Sequence, residues 1–516
     1  MRSSILFSDT EFLRLENHSL KANLENEKLR NDQYEEEISR LHEMLRALKR
    51  EKFGSRRERW LSQDQMPLFN EAEAEAKNED LLAETVKVNP HSRKRGKRKP
   101  LPKDVPREVV VIDLPEADKV APDGSALRVM GHEVSEKLVY EPATVKIIEY
   151  HRLKYGGAEG QDTVKVAPVL PCIVPKSIVT PSLLSQIITS KFADGLPLYR
   201  QEMIFARIGI EIPRSSMGRW IVTAHRGCVG IWNALEERLL RSPYASCDET
   251  PVQVLKEKGR TAESKSWMWV RSTPGAKNKI ILFDYDPSRS GEVARRLFAD
   301  YEGYLQVDGY AGYNGLETQK GLVRVGCNMH GRRKFHEALD GAAKGQSLAK
   351  EGLDLYGKLF EIEERGKLMS HDERFLLRQK EAIPVWDSMK LWAQKHQALV
   401  PPKSKIGTAF HYFLNQYEYL STYLKDGMLE IDNGFAERAV KNFAIGRKNW
   451  LFCDTAVGAE ASSLFYSFVV TAKLNGVDPY YALNEIFTQV PLAKTADDYD
   501  RLAAILLGID IPDPSP

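Results

Sequence analysis

A chain of 516 residues exceeds what one compact core organises, so length predicts about three or four domains. Hydrophobic residues at 42% and charged residues at 28% exclude a wholly disordered or fibrous chain and leave material for a sizeable core. The formal net charge of +2 hides a split, because acidic residues 71–80 and basic residues 91–103 occupy separate blocks. Five cysteines with no CxxC pair exclude a disulfide framework and a four-cysteine zinc site, and predict a reducing compartment. No signal-peptide core stands at the N-terminus and no apolar run approaches the roughly 18 residues needed to span a bilayer. The expectation is a cytoplasmic protein without a membrane partner.

In residues 1–61, Leu13, Leu20, Tyr34, Leu41 and Leu48 share one heptad position, and Leu24, Ile38 and Leu45 the other. Asn17 and Asn31 interrupt the seam, and buried Asn at such places fixes register in two-stranded coils, so the stripe predicts a homodimer rather than a solitary amphipathic helix. Residues 62–106 are charged and poor in aromatics, which predicts a flexible linker. Its basic run carries Arg93, Lys94, Arg95, Lys97, Arg98 and Lys99, able to track DNA phosphates with salt-sensitive, sequence-independent affinity. A merely solvated linker is the competing reading.

Residues 107–175 alternate in VVVIDL, KLVYEPATVKIIEYHRLKY and TVKVAPV, which predicts a small antiparallel β-rich unit. Residues 176–240 carry three helical stretches, Pro181 to Phe192, Leu198 to Ile208 and Ser215 to Ala224. The short turn GIEIPRS joins the last two, with serines placed to cap the third. That is the outline of a helix-turn-helix, whose second helix could offer Arg214, Ser215, Ser216 and Arg219 to DNA. Plain helical packing is an equal alternative from pattern alone.

From residue 241 to 336 the pattern becomes three strands (YASCDETPVQVL, SWMWVRS, NKIILFDYD), a helix from Glu292 to Tyr301, and two more strands ending in YLQV and LVRV. This order predicts the first part of an RNase H-like α/β layer. Asp248 lies within the first strand and Asp308 ends the fourth; a carboxylate there must be paired or bound to a cation, since an isolated buried charge is costly. Magnesium prefers such hard oxygen ligands, and two ions about 4 Å apart suit in-line phosphoryl transfer. The third ligand is best sought in MLEIDNGFAERAVKNF, where Asp432 or Asn433 can cap a helix and Glu437 sits in its first turns; Glu430 and Asp432 compete. Cys327 and His330 could form half a zinc site, but no second pair stands nearby, so a supporting role near the carboxylates is expected and no structural zinc. Arg332, Arg333 and Lys334 form a basic cluster just beyond, while Arg438, Arg447 and Lys448 flank Glu437 and suit gripping a DNA strand. Trp450 and Phe452 read as core.

The strings SCDETPVQVL, LQVDGYAGYN, GCNMHGRRKF and IDNGFAERAVKNFAIGRKNWLF resemble the signature segments of the insertion-sequence-66 family of DDE transposases, collinearly from about Leu13 to Leu483. The resemblance implies a catalytic and metal-binding triad at Asp248, Asp308 and Glu437, with two Mg²⁺ (or Mn²⁺) ions. It also implies strand cleavage and strand transfer at terminal inverted repeats and target DNA, small accessory proteins of the same element, and a nucleoid-associated bacterial protein. The fold class expected is multidomain α+β: coiled coil, β-rich unit, helix-turn-helix, and an RNase H-like catalytic domain. The interval from Asp308 to Glu437 is too long for a minimal RNase H-like fold, so residues 337–427 are expected as an all-helical insertion. Residues 428–490 would complete the core, and 491–516 would form a tail. Family members carry a cysteine zinc unit before the helix-turn-helix, but no cysteine precedes Pro171 here, which predicts a unit that folds without metal or is weakened. A non-catalytic DNA-binding dimer and a structure-selective nuclease are the rival functions.

Overall fold

The computed structural model describes residues 145–156, 164–166, 168–339 and 347–509. The expected coiled coil, the basic run Arg93 to Lys99 and most of the β-rich unit lie outside them. Two compact units are present, divided between Val169 and Leu170. In the first, β1 (Lys154–Gly156) pairs antiparallel with β2 (Val164–Val166). The run 145–153, expected as a strand, is irregular, and Ile147 is 91% exposed. β-branched residues favour a strand only where a neighbour accepts their hydrogen bonds and covers a face, and no such neighbour lies among the described residues.

The second unit opens with α1 (Pro181–Phe192), α2 (Leu198–Arg207) and α3 (Arg214–Leu240). Serine capping of α3 does not occur: Pro213 holds the cap position, and the Arg214 N–H is instead accepted by Glu202 of α2 at 3.0 Å. Nor does α3 stop at Ala224. Met217, Trp220, Ile221, Ala224, Cys228, Ile231, Leu235 and Leu239 recur at three- and four-residue steps and are all buried, so one stripe carries the helix through Gly227 and Gly230. Gly230 serves a close approach, since a Cβ there would meet the Tyr499 ring at 2.6 Å.

The sheet follows: β3 (Tyr244–Lys256), β4 (Lys265–Ser272), β5 (Ile281–Asp286), α4 (Gly291–Leu297), β6 (Gly303–Val307) and β7 (Leu322–Gly326). Its order is β5-β4-β3-β6-β7, with β3, β4 and β5 antiparallel and β3, β6 and β7 parallel. Beyond β7 come α5 (Asn328–Leu339), α6 (Leu348–Gly366), α7 (His371–Leu377), a π turn (Arg378–Ala382), α8 (Ile383–Gln397), α9 (Lys405–Asn415) and α10 (Tyr417–Ser421). Then come α11 (Gly434–Trp450), β8 (Cys453–Thr455), α12 (Ala456–Leu474), α13 (Pro479–Gln489) and α14 (Ala496–Leu506). The described residues thus make a mixed α/β protein with 14 helices and a mixed sheet. None of these helices is long and apolar enough to cross a membrane.

Alternation along β3 assigns its two faces to different cores. Val252 and Val254 pack with α1, α3, α11 and α12, whereas Ala245 and Cys247 pack with α4, Trp269 and Tyr313. A third core belongs to helices α6 to α10, built around Tyr356, Trp386, Phe410 and Phe413. Strand β5 would leave its outer edge open, but Ser467 and Thr471 of α12 accept the N–H groups of Phe283 and Ile281 at 2.8 and 3.0 Å. Helix hydroxyls therefore close an edge that would otherwise invite pairing with another chain. Residues 491–509, expected as tail, include α14: Thr495 and Asp498 form a capping box, Leu502 and Leu506 are buried, and Asp500 accepts two bonds from Arg238 of α3.

Candidate active site

Strands β3 and β6 run parallel with Ser246 opposite Gln306, so the positions two further on, Asp248 and Asp308, lie side by side on one face. The Asp248 carboxylate accepts the Glu249 N–H at 2.8 Å, and Asp308 the Tyr310 N–H at 2.9 Å. Among the described residues neither is ion-paired with an arginine or lysine. Burial holds the Asp248 carboxyl well above the usual carboxylate range, and the negative charges of Glu249, Asp308 and Glu437 push it the same way. Gly309 follows because the Tyr412 ring fills the space a Cβ would need, at 2.6 Å.

Glu437 arrives from another layer, and a short segment sets where it stands. The Tyr244 hydroxyl of β3 donates to Gln306 of β6 at 2.5 Å and accepts the Glu430 N–H at 3.2 Å; Gln306 in turn donates to the Glu430 carbonyl at 2.9 Å. Asn328 at the start of α5 donates to the Ile431 and Leu420 carbonyls at 3.1 and 2.9 Å. Asn433, expected as a side-chain cap, makes no cap bond; its amide donates to the Cys247 carbonyl at 2.8 Å, fixing α11 against β3. Asp432 takes the Gly434 N–H at 2.8 Å. Ala436, Ala439, Val440 and Phe443 then bury one stripe of α11, which turns Glu437 toward the strand ends.

There Glu437 meets Cys327 and His330. Its Oε1 lies 4.0 Å from Cys327 Sγ and 3.8 Å from His330 Nδ1, and the ligand atoms of all three lie within 4.8 Å of one another. Both ring nitrogens of His330 are shut off from solvent and have no hydrogen-bond partner among the described residues. Burial lowers the imidazole pKa against the pull of Asp308 and Glu437, which favours the neutral ring.

A second group stands on the opposite face of β3. Glu249 is buried, pairs with Arg289 at 2.7 Å and accepts the Tyr313 hydroxyl at 2.5 Å. The Arg289 guanidinium lies 3.9 Å from the Tyr310 ring centre and 4.6 Å from that of Trp267. Burial and the nearby Asp308 charge raise the Glu249 pKa, and Arg289 opposes them. Sequence reasoning passed over Glu249; a second acidic residue next to Asp248, on the other face of the same strand, was the available signal.

The expected DNA-facing residues separate. Arg214, Ser215 and Arg219 are exposed at the start of α3, and Ser216 is half-buried. Arg438 and Lys448 are exposed on α11. Arg447 turns inward and donates to Thr250 and to the Pro251 carbonyl, stapling α11 to β3. Trp450 packs at the edge of the core beside Phe443, whereas Phe452, expected to be buried, is 43% exposed. It follows Leu451, whose φ of 68° ends the helix and turns the chain outward.

Three family signatures match in chain order: "Transposase C of IS166 homeodomain" over residues 40–110, "Transposase IS66 family" over 176–461, and "IS66 C-terminal element" over 467–503. The chain is also similar to three proteins of Sinorhizobium fredii (strain NBRC 101917 / NGR234). Uncharacterized protein y4hP is 29% identical, covering 86% of this chain and 85% of its own. For uncharacterized protein y4qI the values are 29%, 90% and 88%, and for uncharacterized protein y4jD 29%, 77% and 79%. The second signature spans more than half of the sequence and contains every residue of the carboxylate site, so the chain belongs to the IS66 family of transposases, enzymes that act on DNA and generally use divalent metal ions.

Proposed function

We propose that this transposase cuts and joins DNA through Asp248, Asp308 and Glu437. The observation that carries the reading is the convergence of three carboxyl groups from β3, the end of β6 and α11, with negative charges raising the Asp248 pKa. The strand order, three antiparallel strands followed by two parallel ones, supports an RNase H-like core. On this reading helices α6 to α10 are an insertion between β7 and α11.

The donor set fits a hard divalent cation, since clustered carboxylates repel one another until a cation compensates them. Asp248, Asp308 and Glu437 would hold two Mg²⁺ ions, or Mn²⁺ in their place. When bound, such ions activate the attacking oxygen and stabilise the leaving one. The protein's own share is positional. The Asn433 bond to Cys247 and the Arg447 bonds to Thr250 and Pro251 fix Glu437 relative to Asp248. Arg438 and Lys448, with Arg93, Lys94, Arg95, Lys97, Arg98 and Lys99, would neutralise phosphates of the bound strand; Arg214, Ser215, Ser216 and Arg219 would meet the element ends. Water serves as nucleophile in cleavage and the freed 3′-hydroxyl in joining, so no covalent protein intermediate forms.

The test is cleavage of DNA bearing the element's terminal inverted repeats, with and without Mg²⁺. Wild type should nick at the ends and join them to target DNA, while Asp308→Asn should bind the same DNA and leave it intact. Equal cleavage by both proteins would remove the triad assignment. End binding without cleavage by wild type would favour a regulatory DNA-binding dimer, and cleavage without joining a structure-selective nuclease.

A further inference from the structure

The carboxylate site contains donors that a magnesium site does not need. Cys327 is buried at the end of β7, where its sulfur accepts the Asn433 N–H at 3.2 Å. His330 stands on the first turn of α5 with Nδ1 and Nε2 both buried and without a hydrogen-bond partner among the described residues. Leaving a buried polar atom unpaired costs about 1–3 kcal/mol, so an imidazole with two such atoms beside a carboxylate and a thiol has the donors of a metal-binding group. Magnesium does not fill it, because that ion takes oxygen ligands. Thiolate and imidazole together select zinc-class ions.

We propose that Cys327 Sγ, His330 Nδ1 and Glu437 Oε1 form a binding site for a zinc-class divalent cation, distinct in chemistry from the magnesium site but sharing Glu437 with it. The spacing supports this. Zinc bonds of about 2.0–2.1 Å to nitrogen or oxygen and about 2.3 Å to sulfur, at tetrahedral angles, separate N from O by about 3.3 Å and S from O by about 3.5 Å. The observed 3.8 and 4.0 Å exceed these by a few tenths of an ångström, within reach of small side-chain rotations. Binding releases the thiol proton to buffer, and water completes the coordination shell. An ion held there engages Glu437 Oε1 away from Asp248 and Asp308. Zinc-class cations therefore inhibit the enzyme by taking a ligand from the catalytic set, a consequence that rests on the triad reading, whereas the binding itself does not.

The experiment uses the full-length chain and Co²⁺ as a spectroscopic stand-in for Zn²⁺, without DNA. Wild type and Cys172→Ser, which removes an exposed thiol, should bind one Co²⁺ with a thiolate-to-cobalt charge-transfer band that Zn²⁺ abolishes and excess Mg²⁺ does not. Cys327→Ser should lose the band, and His330→Ala should weaken binding at least tenfold. Absence of the band in wild type, or its survival in folded Cys327→Ser, overturns the site; should Cys327→Ser fail to fold, unchanged affinity in His330→Ala overturns it equally. In Mg²⁺-supported cleavage, Cys327→Ser should need at least tenfold more Zn²⁺ for half inhibition than wild type, and equal sensitivity overturns the shared-ligand part. Failure of the triad assignment would show as cleavage by Asp308→Asn and leaves the cobalt result untouched.

Discussion

Two clusters of buried charge sit close together in this fold, and they are built on opposite principles. Around Arg378 the cluster is closed. That guanidinium, fully buried in the π turn, donates to both oxygens of Glu363 at 2.9 and 2.7 Å, to the carbonyls of Tyr423, Asp426 and Leu429, and lies 4.9 Å from the Tyr423 ring centre. Arg374 bonds Glu363 and Glu430 in the same network. Around Asp248 the cluster is open: carboxyls from three elements repel one another near an imidazole that has no hydrogen-bond partner among the described residues. A buried charge network that satisfies itself is a structural clamp, and this one holds residues 423–430, the chain that leads into α11. A network that does not satisfy itself is held ready for something outside the protein.

The largest expected effect breaks the open cluster. Asp308→Asn should lower the cleavage rate on the order of 10⁴-fold, the scale on which a catalytic group acting as a unit loses one member. The same change removes a repelling charge, so the metal-free variant should be as stable as wild type or more so in thermal unfolding. Added Mg²⁺ should raise the midpoint of wild type, as any ligand of the folded state does, and leave that of Asp308→Asn where it is. The closed cluster predicts the reverse. Arg378→Met leaves Glu363 with Arg374 as its remaining cation and strands three carbonyls, and should cost about 3–5 kcal/mol of stability in denaturant unfolding. If Asp308→Asn destabilises as much as Arg378→Met, the distinction between open and closed clusters fails.

Much of the open cluster was legible in the sequence because its parts have local signatures. Asp248 and Asp308 stand in apolar strand runs, and Glu437 stands on the polar side of an amphipathic helix. The closed cluster was not legible, since Glu363 and Arg378 sit on helical segments whose charges read as solvated until folding brings them together, and Glu430, weighed as a third metal ligand, pairs with Arg374 instead. Arg447 misleads for a related reason: a basic residue late in a helix reads as exposed, and only the approach of β3 supplies carbonyls for it. The reach of α3 was hidden by Gly227 and Gly230, which weaken a helix in isolation but admit a neighbour in a packed one. The irregular run 145–153 shows the converse, because strand propensity without a partner strand makes no strand.

A third kind of buried charge sharpens the comparison at the smallest scale. Lys191, at the end of α1, is a half-buried cation resting 5.2 and 5.3 Å from the ring centres of Phe192 and Trp450. Burial lowers its pKa from 10.5 to about 8, with the nearby Cys453 opposing the shift. Below about pH 8 the lysine is charged in both folded and unfolded chains, and the folded state carries the full desolvation penalty. Between about pH 8 and 10.5 the folded chain gives up its proton while the unfolded chain keeps it, so this residue makes stability rise with pH across that window. Lys191→Met, which keeps the aliphatic length, should therefore be more stable than wild type at pH 7 by about 1–2 kcal/mol, allowing for the exposure that remains. The difference should shrink through the window and vanish above it, as read from thermal midpoints of both proteins across pH. A constant difference would mean that the substitution acts through packing alone, and a loss of stability at pH 7 would mean that the aromatic rings compensate the ammonium as completely as Glu363 compensates Arg378.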